Sequence, residues 1–180
     1  VKRSNPKVAM KRFYNLAQAV EAPPGFWQIT LDGKPLQTPQ KRVLAMPSAR
    51  LAAALAAEWN GQGDTVDMQT MPLTQLATGA IDRVAPRRQE IIRDLVAYIE
   101  TDLLRYRSSS PKGLSERQLI SWQPLLDWAE NMIGVKLVPV EGIMALAAPQ
   151  GQKDVLTGIL KNYDDFVLLG LTQASRISGS

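Results

Sequence analysis

Residues that could perform catalysis are sparse in this sequence. Asp102, Tyr106 and Arg107 fall together in Thr101-Asp102-Leu103-Leu104-Arg105-Tyr106-Arg107, the densest polar run. A carboxylate beside a phenol and a guanidinium could move a proton to or from a small substrate. The same run also suits a helix end, where cations favour the C-terminal dipole and an acid pairs with Arg105 or caps a turn. Asp32, Asp64 and Asp67 are further carboxylates, set in or near turns. Paired carboxylates hydrolyse glycosides or bind cations, yet this spacing matches no cation loop, and turns are where Asp belongs. No phosphate loop and no Gly-x-Gly-x-x-Gly occurs, and Gly61-Gln62-Gly63 follows a helix instead of opening one. The 180 residues contain no Cys and no His. That removes disulfides, thiolate nucleophiles, Cys-ligated zinc, and the commonest general base and metal ligand at neutral pH. The expectation is a protein without catalytic residues, cofactor or metal.

Binding is the remaining class. Net charge is +4, and Lys2, Arg3, Lys7, Lys11 and Arg12 precede the first acid, Glu21. A basic end suits nucleic acid or an acidic surface, or is a solvated terminus. Arg83, Arg87, Arg88 and Arg93 also cluster, but Asp82, Glu90 and Asp94 interleave with them and dilute the field. No nucleic acid partner is expected. Trp27, Trp59, Trp122 and Trp128 are core candidates first and interaction anchors second. Trp122 and Trp128 lie six apart and do not share a helix face.

These side chains need a scaffold. With 45% hydrophobic and 21% charged residues the chain can bury a core, and no apolar run approaches the ~20 residues of a membrane span. The first seventy residues read as an antiparallel meander with one packed helix. Pro23-Pro24-Gly25 is a turn, Phe26 to Leu31 a strand, and Asp32-Gly33 a hairpin turn; Val43 to Met46 is extended. Ser48 caps an Ala-rich helix whose Leu51, Leu55 and Trp59 share a face, with Gly61 just past its end. From Pro72 onward the pattern is helical. Leu73, Leu76, Ala77, Ala80, Ile81 and Val84 form one stripe, and Ile91, Ile92, Leu95 and Ile99 the next. A third helix runs from about Leu114 to Trp122, where Pro124 is expected to break or kink it, and continues to Gly134. Val135 to Val140 is an edge strand or linker, and Pro149 opens one last helical stretch through Val167. The fold class is therefore α+β: an N-terminal antiparallel β-meander with a packed helix, followed by an all-α C-terminal domain. The division is 1–70, with the boundary at 85 at the furthest, and 71–180.

Read in order, short motifs resemble one family, the chaperones that hold the alpha subunit of the ATP synthase catalytic head before it joins beta. They are Lys11-Arg12-Phe13-Tyr14, Leu31-Asp32-Gly33-Lys34-Pro35-Leu36-Gln37-Thr38-Pro39 and Ala57-Glu58-Trp59. Met71-Pro72-Leu73-Thr74, Ala80-Ile81-Asp82-Arg83-Val84, Thr101-Asp102-Leu103-Leu104 and Tyr106-Arg107 follow. Arg117-Gln118, Trp122, Pro124 to Ala129 and Gly142-Ile143-Met144 complete the set. The sequence departs from that pattern at Asn60 and Gln123, where the family usually has Asp, and at Arg105, which often corresponds to Cys. The family also continues through a helical tail, so the resemblance implies a chain truncated at its C-terminal end, inside a helix. It further implies a non-enzymatic, monomeric assembly chaperone of the F1 sector. Its partner would be the alpha subunit, with no nucleic acid and no membrane insertion. Its location would be the bacterial cytoplasm, or the mitochondrial matrix in a eukaryote; no secretory signal or presequence is visible. Partner contacts are expected at Trp59, Asp102, Arg107, Trp122 and Asp127.

Overall fold

The computed structural model describes residues 10–142, 144 and 146–179. Lys2, Arg3, Lys7 and Ile143 lie outside them. The chain forms two compact units, the first ending at Pro86 and the second beginning at Arg87.

The first unit contains β1 (Met10–Lys11), β2 (Ala17–Glu21), β3 (Trp27–Leu31), β4 (Lys34–Pro35), β5 (Ala45–Met46), α1 (Ala49–Asn60), β6 (Thr65–Val66) and α2 (Pro72–Gly79). β3 pairs antiparallel with β2 on one edge and with β4 and β5 on the other, while β1 pairs with β6. The β3–β4 turn is Asp32-Gly33, with φ +47° and +79°. Both residue types tolerate that left-handed region, and such a turn matches the twist of its strands. The Asp32 carboxylate accepts the N–H of Asn15 at 3.0 Å and of Leu16 at 2.9 Å. Those hydrogen bonds hold it below the usual carboxylate range, helped by the charges of Arg12 and Lys34. A depressed folded pKa stabilises the fold above the ordinary carboxylate range, and that contribution is lost as pH falls through the folded value. Asp32→Asn should therefore flatten part of the acid limb of a melting-temperature profile below about pH 4. Identical profiles would show that this carboxylate adds nothing.

The Ser48 hydroxyl accepts the Leu51 N–H and caps α1. Leu55 and Trp59 are buried against the sheet, and Leu51 is half-buried. Trp59 joins Tyr14, Ala17, Leu31, Val66 and Met71 in one core. Asn60 turns its amide on β2, donating to Ala17 O at 2.9 Å and accepting from Ala17 N at 2.8 Å. It supplies a strand's hydrogen bonds at the sheet edge, which an ionised Asp, acceptor only, cannot do.

The helical stripe from Pro72 is corrected after Gly79. The chain widens into a π-turn over Ala80–Val84 and tightens into a 3-10 turn at Ala85–Arg87. Asp82, on the wide turn, accepts the buried Thr38 hydroxyl at 2.8 Å and the Gln40 N–H at 3.3 Å. A buried hydroxyl needs a partner, and the irregular turn is where its acceptor sits.

The second unit holds α3 (Arg88–Thr101), β7 (Tyr106–Arg107), α4 (Lys112–Ile133), β8 (Val140–Glu141), α5 (Gln150–Lys161) and α6 (Asp165–Ser178). α3 packs on α5 and α6, burying Ile92, Leu95, Val96 and Ile99. β7 and β8 form a short parallel pair. Three expectations are corrected. First, α4 runs through Pro124 as one helix. The carbonyl that loses a donor belongs to Ile120, whose side chain is exposed, so water can satisfy it. Second, the last helical stretch is two helices. Asp164 accepts from the N–H groups of Phe166 and Val167 and starts α6 as its N-cap. Third, the described chain does not stop inside a helix, because α6 closes at Gly179, whose φ is +72°.

Candidate docking groove in the helical unit

The five expected contact residues have different settings. Trp59 belongs to the first unit and is 4% exposed, with Tyr14 edge-to-face against it at 5.5 Å and the Tyr14 hydroxyl donating to its carbonyl. Asp102 caps the turn after α3 by accepting the Leu104 N–H at 2.8 Å. The Tyr106 hydroxyl donates to Glu100 O, and Arg107 donates to Gln118 O. Asp102, Tyr106 and Arg107 thus serve three different backbone partners. The Arg107 guanidinium also lies over the Trp122 ring, 5.2 Å from its centroid, and burial pushes its pKa down. Asp127 is exposed on α4 and accepts from the Gln123 amide at 2.8 Å. Among the described residues, no group of three or more acidic side chains could hold a metal ion.

The larger feature beside them is apolar. A groove of about 420 Å³ runs between α3, α4, α5 and α6. Its floor includes Ile99, Leu126 and Leu160, all buried. Asp102 stands on its wall, and the rest of the lining is mostly aliphatic and aromatic. α4 explains how it stays open. Leu126, Ala129 and Ile133, spaced three and four apart, turn inward. The neighbouring stripe, Leu125, Trp128 and Met132, has the same spacing but is 50%, 57% and 69% exposed. An apolar face too wide for its own core leaves a ridge in water. Several charges of this unit are paired with one another. Lys153 binds Glu100 at 2.5 Å, Arg88 binds Asp165 at 2.5 Å, and Lys136 binds Glu130 at 2.6 Å. The Lys153 hydrogen bond holds the Glu100 carboxyl below its usual range.

Sequence spacing missed this ridge. Trp128 reads there as core, and its position relative to Trp122 draws attention away from Leu125 and Met132. The available signal was the doubled stripe, 125/128/132 beside 126/129/133.

Residues 11–130 match the family described as ATP12 chaperone protein. The chain belongs to the ATP12 chaperone family. A curated relative, "Protein atp12, mitochondrial" of Schizosaccharomyces pombe, is 29% identical over 153 residues, which is 79% of this chain and 52% of the relative. The chain thus spans about half the length of that relative. The crystal structure of Atp12 from Paracoccus denitrificans superposes with a TM-score of 0.88 at 33% identity, over 95% of this chain and 73% of that one. A putative chaperone from Agrobacterium tumefaciens, Atu1473, gives 0.84 at 36% identity, over 94% of this chain and 64% of that one. The ATP12 match reaches Glu130 and so includes most of α4 with Leu125 and Trp128. No helix among the described residues is long and apolar enough to cross a membrane.

Proposed function

We propose that this ATP12 family member is an assembly chaperone of the F1 sector of ATP synthase. It binds the free alpha subunit and keeps it from aggregating until beta replaces the chaperone. The observation that carries this reading is the exposed ridge of Leu125, Trp128 and Met132 beside the apolar groove. A subunit separated from its partner exposes an apolar interface, and such patches self-associate. A ridge and groove that cover the patch lower that risk without making or breaking a bond, so the reading needs no catalytic group, cofactor or metal. Asp102 on the groove wall supplies a polar rim contact, Asp127 adds a polar contact from the exposed surface of α4, and Arg107, bonded to Gln118 O and lying over the Trp122 ring, steadies the middle of α4. The site of action on this reading is the bacterial cytoplasm or the mitochondrial matrix, with the chaperone as a monomer.

The test is light scattering of purified alpha subunit diluted from denaturant. A several-fold molar excess of the chaperone should suppress scattering whether or not ATP is added. Unchanged scattering would refute the proposal.

A further inference from the structure

The exposed ridge of α4 is longer than the groove beside it needs. Upstream of Leu125, Trp128 and Met132 it continues through Pro124, which is exposed, and Ile120, which is 74% exposed. At 3.6 residues per turn these five side chains and Arg117 share about 140° of the helix surface. Ile120, Pro124, Trp128 and Met132 recur at every fourth position and form one continuous row. Rows of this spacing interdigitate with the same rows of a second helix, which is the commonest helix contact. Ser121 lies in the same strip, is exposed and is small, so a second helix can approach closely there.

The charges of α4 follow a fixed order along this strip. Arg117 is exposed at its N-terminal end and makes no ion pair among the described residues. Asp127 borders the strip beyond Pro124 and accepts from the Gln123 amide. Lys112, Glu116 and Glu130 point further round the helix, and Glu130 is bound to Lys136. An apolar row with a cation at one end and an acid past its middle complements itself when two copies run antiparallel. We infer that α4 pairs with α4 of a second copy of this chain, about a two-fold axis at the level of Trp122 and Gln123. That register brings Arg117 level with Trp128 of the second copy and beside its Asp127, a cation against an indole face and a carboxylate together. Ile120 packs beside the second copy's Pro124, and the small Ser121 lies at the crossing. Symmetry makes each of these contacts twice. A parallel pairing would instead set Arg117 against Arg117 and Asp127 against Asp127. The antiparallel contact covers roughly 500 Å² on each copy, or about 1,000 Å² in all, the lower bound of a specific interface. The dimer is therefore reversible.

The role of this dimer rests on the chaperone reading: it is the resting form, in which two copies cover each other's ridge, and it separates into the monomer that meets a client. Left bare, an apolar strip of this length draws free copies into aggregates. The test needs no client. Sedimentation velocity of the full chain alone, from about 1 to about 200 µM, should show a reversible monomer–dimer equilibrium with a Kd of ~1–100 µM. Arg117→Asp and Asp127→Arg should each weaken the dimer at least ~10-fold. Both changes in one chain reverse the pair instead of breaking it, and should bind at least ~5-fold more tightly than either change alone. Ile120→Asp should leave a monomer throughout. All three side chains are exposed, so melting temperatures should stay near that of the parent. A parent chain that is monomeric up to about 200 µM would overturn the inference. So would association that runs past the dimer, single variants that dimerise as the parent does, or a double variant no tighter than the single ones. A monomeric parent would leave the alpha-subunit reading intact, because that reading is decided by light scattering.

Discussion

Trp128→Asp combined with Leu125→Asp should abolish the suppression of alpha-subunit aggregation while leaving the chaperone folded. Both side chains are at least half exposed, so the fold loses little when they become polar. Surface changes of that kind usually move stability by under about 0.5 kcal/mol, and partial exposure raises the expectation here to about 1 kcal/mol. The effect on binding is much larger. Truncating a central aromatic anchor costs ~2 kcal/mol or more, about 30-fold in affinity. A carboxylate in its place adds the cost of desolvating an unpaired charge. The combined loss should exceed ~100-fold. The measurements are light scattering with alpha subunit and a thermal melt of the variant. Full suppression by a folded double variant would remove the ridge from the docking site. A collapsed melt would show that these side chains serve the core, and Trp128→Gln, which removes the aromatic ring without adding a charge, separates the two cases.

Glu58→Ala should destabilise the fold by about 2–4 kcal/mol. One carboxylate oxygen accepts the Leu73 N–H at 2.7 Å; the other accepts the Thr74 N–H and hydroxyl, both at 2.8 Å. Every helix leaves its first N–H groups without intrahelical partners. In α2 the cap residue Met71 offers no side-chain bond and Pro72 has no N–H, so Glu58 answers the next two donors itself. The negative charge also sits at the favourable end of the helix dipole. Thr74 is buried, so its hydroxyl would lose its partner out of reach of water. Hydrogen bonds to a charged acceptor contribute about 1.5–3 kcal/mol each and do not simply add. Chemical denaturation followed by tryptophan fluorescence gives the number. Glu58→Gln should cost less, because its amide oxygen still accepts. A loss below ~0.5 kcal/mol for Glu58→Ala, within the range of an ordinary surface change, would contradict this account.

The Glu58 contact also marks where sequence reasoning stopped. Ala57-Glu58-Trp59 and Met71-Pro72-Leu73-Thr74 are readable as separate motifs. That they meet, with one providing the cap of the other, depends on α1 and α2 packing together, and neither motif encodes that alone. Asp82 is similar. Its position looks like part of a helical stripe, but the acceptor demand of Thr38, far away in sequence, coincides with a π-turn there.

The sequence alone determined the class of molecule and most of its local structure. Asp32-Gly33, Ser48 and Gly134 mark turns and helix ends because their backbone and capping preferences act over a few residues. The spacing of Ile92, Leu95 and Ile99 marks a buried helix face for the same local reason. The absence of Cys and His restricted the chemistry before any fold was known. Tertiary structure alone decided which apolar stripe of α4 is covered. Leu126, Ala129 and Ile133 look no different in sequence from Leu125, Trp128 and Met132. The arrangement of α3, α5 and α6 buries one stripe and leaves the other in solvent, because only so much apolar surface fits against three helices.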